Sequence, residues 1–204
     1  IQAAAWVVFL ESGYGVILGW SFVYANGGNY EKFYGLATTI IGNAALWSML
    51  LTPLAIKKMG KRNLLITANS INIVVLLVLF LVYKNLLLVC ILWYFNTFIN
   101  TFWNIVQHNI SADMRDYHQW KTGVRVDGLF GPLGMIGTVI GLFTGMVYPA
   151  IYEKMGLKSD YNVLYDDNMR NNLFEVLILC SAVGALLNLI PFLFYDLTEN
   201  KHKA

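Results

Sequence analysis

Apolar runs separated by short polar connections set the pattern of this chain. A helix needs roughly 20 mostly apolar residues to cross a bilayer. Six segments meet that requirement: Ala3 to Tyr24, Tyr34 to Ile56, Leu64 to Tyr83, Leu86 to Gln107, Leu129 to Tyr152 and Leu173 to Tyr195. Between them lie the basic stretch Lys57-Lys58-Met59-Gly60-Lys61-Arg62, the pair Lys84-Asn85 and a charged segment from Asp113 to Gly128, read as a loop joining the fourth and fifth spans. Only Glu153 to Asn172 reads as a long connection. Gly27-Gly28 and Pro53 punctuate span ends. Pro132, Pro149 and Pro191 fall within or near other spans, where a membrane helix bends and its neighbours satisfy the freed carbonyls.

Composition turns this pattern into a class. With 57% hydrophobic and 13% charged residues in 204, the chain has too little polar surface to cover a soluble globule, so much of its exterior faces lipid. It reads as an all-α membrane protein. A formal charge of +2, spread over loops, excludes a nucleic-acid-binding face. Cys90 and Cys180 both lie in apolar runs, which argues against a disulfide framework and a thiolate metal site. The chain opens at Ile1 and enters an apolar run at once, with no basic n-region or small-residue cleavage site; it reads as a piece of a longer protein.

Charge sets the expected orientation. Lys57, Lys58, Lys61, Arg62, Arg115, Lys121, Arg125, Lys201 and Lys203 fall on one side of the six spans, against Lys32, Lys84, Lys154, Lys158 and Arg170 on the other, nine to five. The richer side is expected to be cytoplasmic. Both termini then lie inside, and the acidic region from Glu153 to Asp167 lies outside.

The spacing of Asp116, Tyr117, Trp120, Lys121, Thr122, Gly123, Arg125 and Gly128 resembles the DYxxWxTGxRxxG signature of the glycoside/pentoside/hexuronide:cation symporters. That branch of the major facilitator transporters includes the melibiose permease. A span ending in Pro53 and followed by Lys58-Met59-Gly60-Lys61-Arg62, and the ending Tyr195-Asp-Leu-Thr-Glu-Asn-Lys-His202, extend the resemblance over nearly the whole chain. It implies the C-terminal half of a major facilitator fold, six transmembrane helices in a 3+3 inverted repeat, with the N-terminal half absent. It also implies a multi-pass protein of the cell membrane, not an enzyme, that moves a sugar or glycoside together with Na+ or H+ by alternating access. Its partners would be that substrate, the coupling cation, the N-terminal half and the bilayer. The cation site and the principal sugar-binding acids would belong to the N-terminal half.

Candidate site residues fall into two groups. Trp93, Asn96, Asn100, Trp103, Asn104 and Gln107 occupy one helical sector roughly 100° wide. Amides in hydrocarbon need partners. This face therefore lines a wet substrate pathway, offering donors, acceptors and flat indole surfaces to a sugar, or it bonds helices together. Glu11, with Tyr14 and Gly15 on its face, is an acid well inside an apolar span, where insertion costs about 2.5–3.5 kcal/mol. It is either a pathway residue, protonated or paired, or a neutral acid bonded to a neighbour such as Asn43 or Asn188.

The second group is Asp113, Asp116, Tyr117, Trp120, Lys121, Thr122, Gly123, Arg125 and Gly128. As a cytoplasmic gate, Asp116, Lys121 and Arg125 would form ion pairs that tie spans together in one conformation and release them in another; as topogenic charge they would only fix orientation. His108, Asp113, Asp116 and His118 lack metal-ligand spacing. Asn69, Ser70 and Asn72, near the start of the third span, read as packing residues. Val139 stands where sugar/cation members commonly carry an intramembrane Lys, which weakens transfer of their coupling mechanism. A lysolipid-like amphiphilic substrate, or a six-helix membrane interaction protein, are the competing functional readings.

Overall fold

A computed structural model describes residues 12–25, 30–125 and 127–195. Among these residues every regular element is helical. A 3-10 turn, Ser12–Gly15, leads into α1 (Val16–Val23), followed by α2 (Glu31–Met59), α3 (Lys61–Val82), α4 (Leu86–Thr122), α5 (Asp127–Gly145), α6 (Val147–Lys154), a second 3-10 turn (Tyr161–Tyr165) and α7 (Asp167–Leu193). Lys32–Met59, Lys61–Val82, Leu86–Thr122 and Asp167–Leu193 are long and apolar enough to cross a membrane. Bilayer-length helices are required because every backbone polar group in lipid must find its partner internally. The protein is a multi-pass, all-α membrane protein.

Local sequence explains the helix ends. Asn85 opens α4 by accepting from the Leu87 and Leu88 amides at 3.1 and 3.3 Å, and Asp166 opens α7 by accepting from the Asn168 amide at 2.9 Å; both satisfy donors a helix start leaves unpaired. Gly60 alone separates α2 from α3. The last carbonyls of α7 are met from another helix: Arg62 Nη2 donates to Leu193 O at 2.7 Å and Nε to Phe192 O at 3.3 Å.

α3 is the central helix, packed antiparallel to both α4 and α7, while α2 packs along α4. The main buried cluster joins Ile17, Leu18 and Phe22 of α1 to Leu76 and Leu79 of α3, Val89 of α4 and Leu173, Phe174, Leu177 and Ile178 of α7. Apolar burial gives helices in lipid little reason to associate, so close packing and polar contacts decide their arrangement. α7 accordingly buries the small residues Ser181, Ala182, Gly184 and Ala185. The outside is apolar instead: Leu81 and Phe194 are 79% and 82% exposed.

Three expectations need correction. The segment from Asp113 is not a loop, because α4 continues without a break to Thr122. Nothing from Gln107 to Thr122 is Gly or Pro, and hydropathy registers where lipid ends, not where a helix ends. Gly123 stops it, at φ 70° with its amide bonded to Gln119 O at 2.8 Å, a left-handed conformation that costs other residues roughly 1–2 kcal/mol. The long connection expected from Glu153 to Asn172 shrinks, since α6 runs to Lys154 and α7 starts at Asp167. Pro53 does not end its span: α2 carries it internally and runs on to Met59.

Candidate substrate pathway and gate

The 3-10 turn before α1 places Tyr14 inside the bundle, 5% exposed. Its amide donates to Ser181 Oγ of α7 at 3.1 Å, and that oxygen lies 3.3 Å from Tyr148 Oη of α6. The approach requires Gly13: a Cβ there would sit 1.7 Å from Tyr148 Cζ.

From Tyr14 a polar chain crosses the bundle. Asn100 Nδ2 lies 3.5 Å from the Tyr14 hydroxyl and 3.0 Å from Asn96 Oδ1, to which it donates. Asn96 Nδ2 donates to Asn72 Oδ1 of α3 at 2.6 Å. Trp93 closes one side, its ring centroid 5.0 Å from that of Tyr14. Asn72 and Asn96 are 1% and 5% exposed, and Asn100 is half-buried. The chain Asn72–Asn96–Asn100–Tyr14 thus joins α3, α4 and the first turn, and Ser181 carries it to α7 and α6. Amides suit this place because each both donates and accepts, and each link in lipid contributes about 0.6 kcal/mol on average, up to about 1.7.

The structure brings together Tyr14, Trp93, Asn96 and Asn100 among the residues expected from sequence. Trp103 lies further along α4 beside the Leu64, Leu65, Val106, Ile110 and Phe192 cluster. Asn104 is exposed. Glu11 lies outside the described residues. Asn72 was read as packing; the signal that finds it is Asn69 and Asn72 three apart in an otherwise apolar stretch, a spacing that puts both amides on one helical face.

At the other end of α4, Lys61 Nζ donates to Asp113 Oδ2 at 2.5 Å, with both side chains about one-fifth exposed. This pair ties the start of α3 to the extension of α4. Asp116, Tyr117, Trp120, Lys121 and Thr122 are exposed on that extension, Gly123 and Arg125 follow it, and Gly128 lies in the first turn of α5. The Tyr117 and Trp120 rings lie tilted at 36° with centroids 5.8 Å apart, Lys121 Nζ sits 6.0 Å over the Tyr117 ring, and Thr122 Oγ1 donates to His118 O at 2.8 Å. Among the described residues no three His, Cys, Asp or Glu side chains are grouped to hold a metal ion. Val139 is exposed on α5.

Bilayer-length helices, a polar chain threaded through their interior and an ion pair at one end define a polytopic membrane protein built around intramembrane polar contacts. Residues 20–199 match the family model described as MFS/sugar transport protein. The chain belongs to that family, and so to the major facilitator transporters. No curated protein and no solved structure is significantly similar to it.

Proposed function

We propose that the chain forms the C-terminal six-helix half, a 3+3 inverted repeat, of a melibiose permease-like symporter that carries a sugar or glycoside with Na+ or H+ by alternating access. The cation site lies mainly in the N-terminal half. The observation that carries this reading is the buried polar chain from Asn72 to Tyr14, in a chain of the sugar-transport family. Tyr14, Trp93, Asn96 and Asn100, with Glu11 three residues before Tyr14 in the sequence, form one wall of the pathway. Asn100, half-buried and holding Tyr14, is the member best placed to exchange a protein contact for a substrate hydroxyl. Trp103 and Asn104 continue the wall toward the gate.

Asp113 with Lys61, and the exposed residues from Asp116 to Gly128, form the gate on the cytoplasmic side of the cell membrane, where both ends of this half lie. Breaking the pair frees the extension of α4 from α3, the two-state behaviour that alternating access requires.

Uptake of labelled glycosides by cells expressing the full-length protein tests the reading. Asn100→Ala and Glu11→Gln are expected to reduce uptake at least about tenfold, the equivalent of about 1.4 kcal/mol, at unchanged membrane abundance. Wild-type uptake in both variants refutes the site.

A second reading has its own observation. A cavity of about 400 Å³ between α1, α2 and α4 is lined almost wholly by apolar side chains, among them Phe22, Phe33, Ile40, Ile91 and Phe95. Such a cavity suits the acyl chain of an amphiphilic, lysolipid-like substrate. Inhibition of uptake by lysolipids and not by simple glycosides would select this reading over the sugar.

A further inference from the structure

At the end of the bundle opposite Lys61 and Asp113, a second cavity of about 400 Å³ opens between α1, the α3–α4 turn and the start of α7. That volume falls within the roughly 300–1,000 Å³ of small-molecule sites. Unlike the apolar cavity, its lining is mostly polar and includes Ser21, Lys84, Asp167, Arg170 and Asn171, with aromatic walls from Tyr24, Tyr83 and Phe174.

Arg170 is only 6% exposed and is held as part of the wall. Its Nη1 donates to Leu164 O at 2.9 Å and Tyr24 O at 3.4 Å, and its Nη2 bonds Asp167. Asp167 offsets the charge of Arg170. Lys84, exposed in the turn and 5.8 Å over the Tyr83 ring, then gives the lining an excess positive charge. The Glu175 carboxylate lies outside the lining and accepts from the Tyr83 hydroxyl at 2.7 Å.

Ser21 is the second, independent sign. It is 5% exposed, it lines the cavity, and its hydroxyl makes no hydrogen bond in the protein. A buried polar group without a partner costs about 1–3 kcal/mol, and a serine on a helix ordinarily avoids that cost by bonding a carbonyl four residues back. The oxygen has less than 1 Å² of accessible surface, so a turn of the side chain into the polar cavity that Ser21 lines is what brings it to a ligand that supplies the partner.

We propose that this cavity binds a small hydroxylated anion, its charge met by Lys84 beside the Arg170–Asp167 pair and its hydroxyls by Ser21 and Asn171. Guanidinium and ammonium groups are the side chains that recognise carboxylate and phosphate. The ligand is either a free solute or the headgroup of an anionic lipid, since the cavity opens at one end of the spanning helices.

Calorimetric titration of the full-length protein in phosphatidylcholine nanodiscs with sn-glycerol 3-phosphate, and native mass spectrometry after exchange into phosphatidylglycerol, read the two sources. Saturable binding of the soluble probe, or selective retention of the lipid, is expected; the first identifies a free solute and the second a headgroup. Lys84→Ala is expected to weaken binding about tenfold and Ser21→Ala about threefold. Ser21→Ala should leave the melting temperature unchanged or higher, because it deletes an unpaired hydroxyl, so loss of binding there is not loss of fold. The proposal is overturned if neither probe binds, if both variants bind as wild type, or if neutral glycerol binds as well as its phosphate.

Discussion

The bond between Asn96 and Asn72 offers a quantitative test of the polar chain. Replacing Asn72 by Leu keeps the branched shape of the side chain and removes the acceptor 2.6 Å from Asn96 Nδ2. At 5% exposure that donor has no access to water, so the single variant should lose about 1–3 kcal/mol, the net bond plus the penalty of an orphaned group. Asn96→Leu does more. It removes the donor to Asn72 and the acceptor of the 3.0 Å bond from Asn100, leaving Asn100 with Tyr14 at 3.5 Å. The double variant no longer strands either partner of the first bond, so its loss should fall short of the sum of the single losses by about 0.6–1.7 kcal/mol. Unfolding of the purified protein in mixed detergent micelles, monitored by tryptophan fluorescence and completed as a four-variant cycle, measures that coupling. Independent sites add within about 0.5 kcal/mol. A coupling inside that margin would mean that the two amides do not hold each other, and the chain from α3 to Tyr14 would lose its first link.

Other consequences are open to simpler measurements. Gly13→Ala should destabilise the protein by about 1–3 kcal/mol through overpacking, and Tyr148→Ala should relieve the clash, so that the pair loses less than the two single changes together in the same unfolding assay. Asp113→Asn should lower stability by no more than about 1 kcal/mol, as for partly exposed ion pairs, yet reduce uptake more than that figure implies; exchanging the charges as Lys61→Asp with Asp113→Lys should restore uptake, and failure to do so removes the pair from the gate. Single cysteines replacing Lys58 and Lys158 should react with an impermeant maleimide from opposite faces of the membrane, Lys158 from outside. Labelling of both from one face would refute the orientation.

Helices α2, α3 and α7 were legible because long apolar runs between charged connections have few other stable forms in lipid. α4 was legible in its start and not in its end. Leu86 and Asn85 announce the first turn, but beyond Gln107 the helix leaves the apolar window while Ile110, fully buried, still packs against Leu64 and Phe192. Gly123 was in plain view as a helix stop, although the charged residues before it read as a loop. The grouping of Trp93, Asn96 and Asn100 on one face followed from period alone. The partners did not: Asn72, Ser181 and Tyr148 are set by packing between elements far apart in the chain, and local pattern carries no information about that distance.

The unbroken course of α4 has a mechanical implication. At 37 residues it is a rod of about 55 Å, against a hydrocarbon core of about 30 Å. It touches the turn beside Lys84 at one tip, carries Asn96 and Asn100 within the membrane, and extends past Lys61 at the other. Pivoting such a rod by about 10° about Asn96 and Asn100 would swing the tip at Leu86 by about 3 Å and the tip at Thr122 by about 6 Å in opposite directions, so the Asp113 contact would not open this way without the far tip moving too. In such a motion α4 would work as a seesaw with the amide chain as its fulcrum.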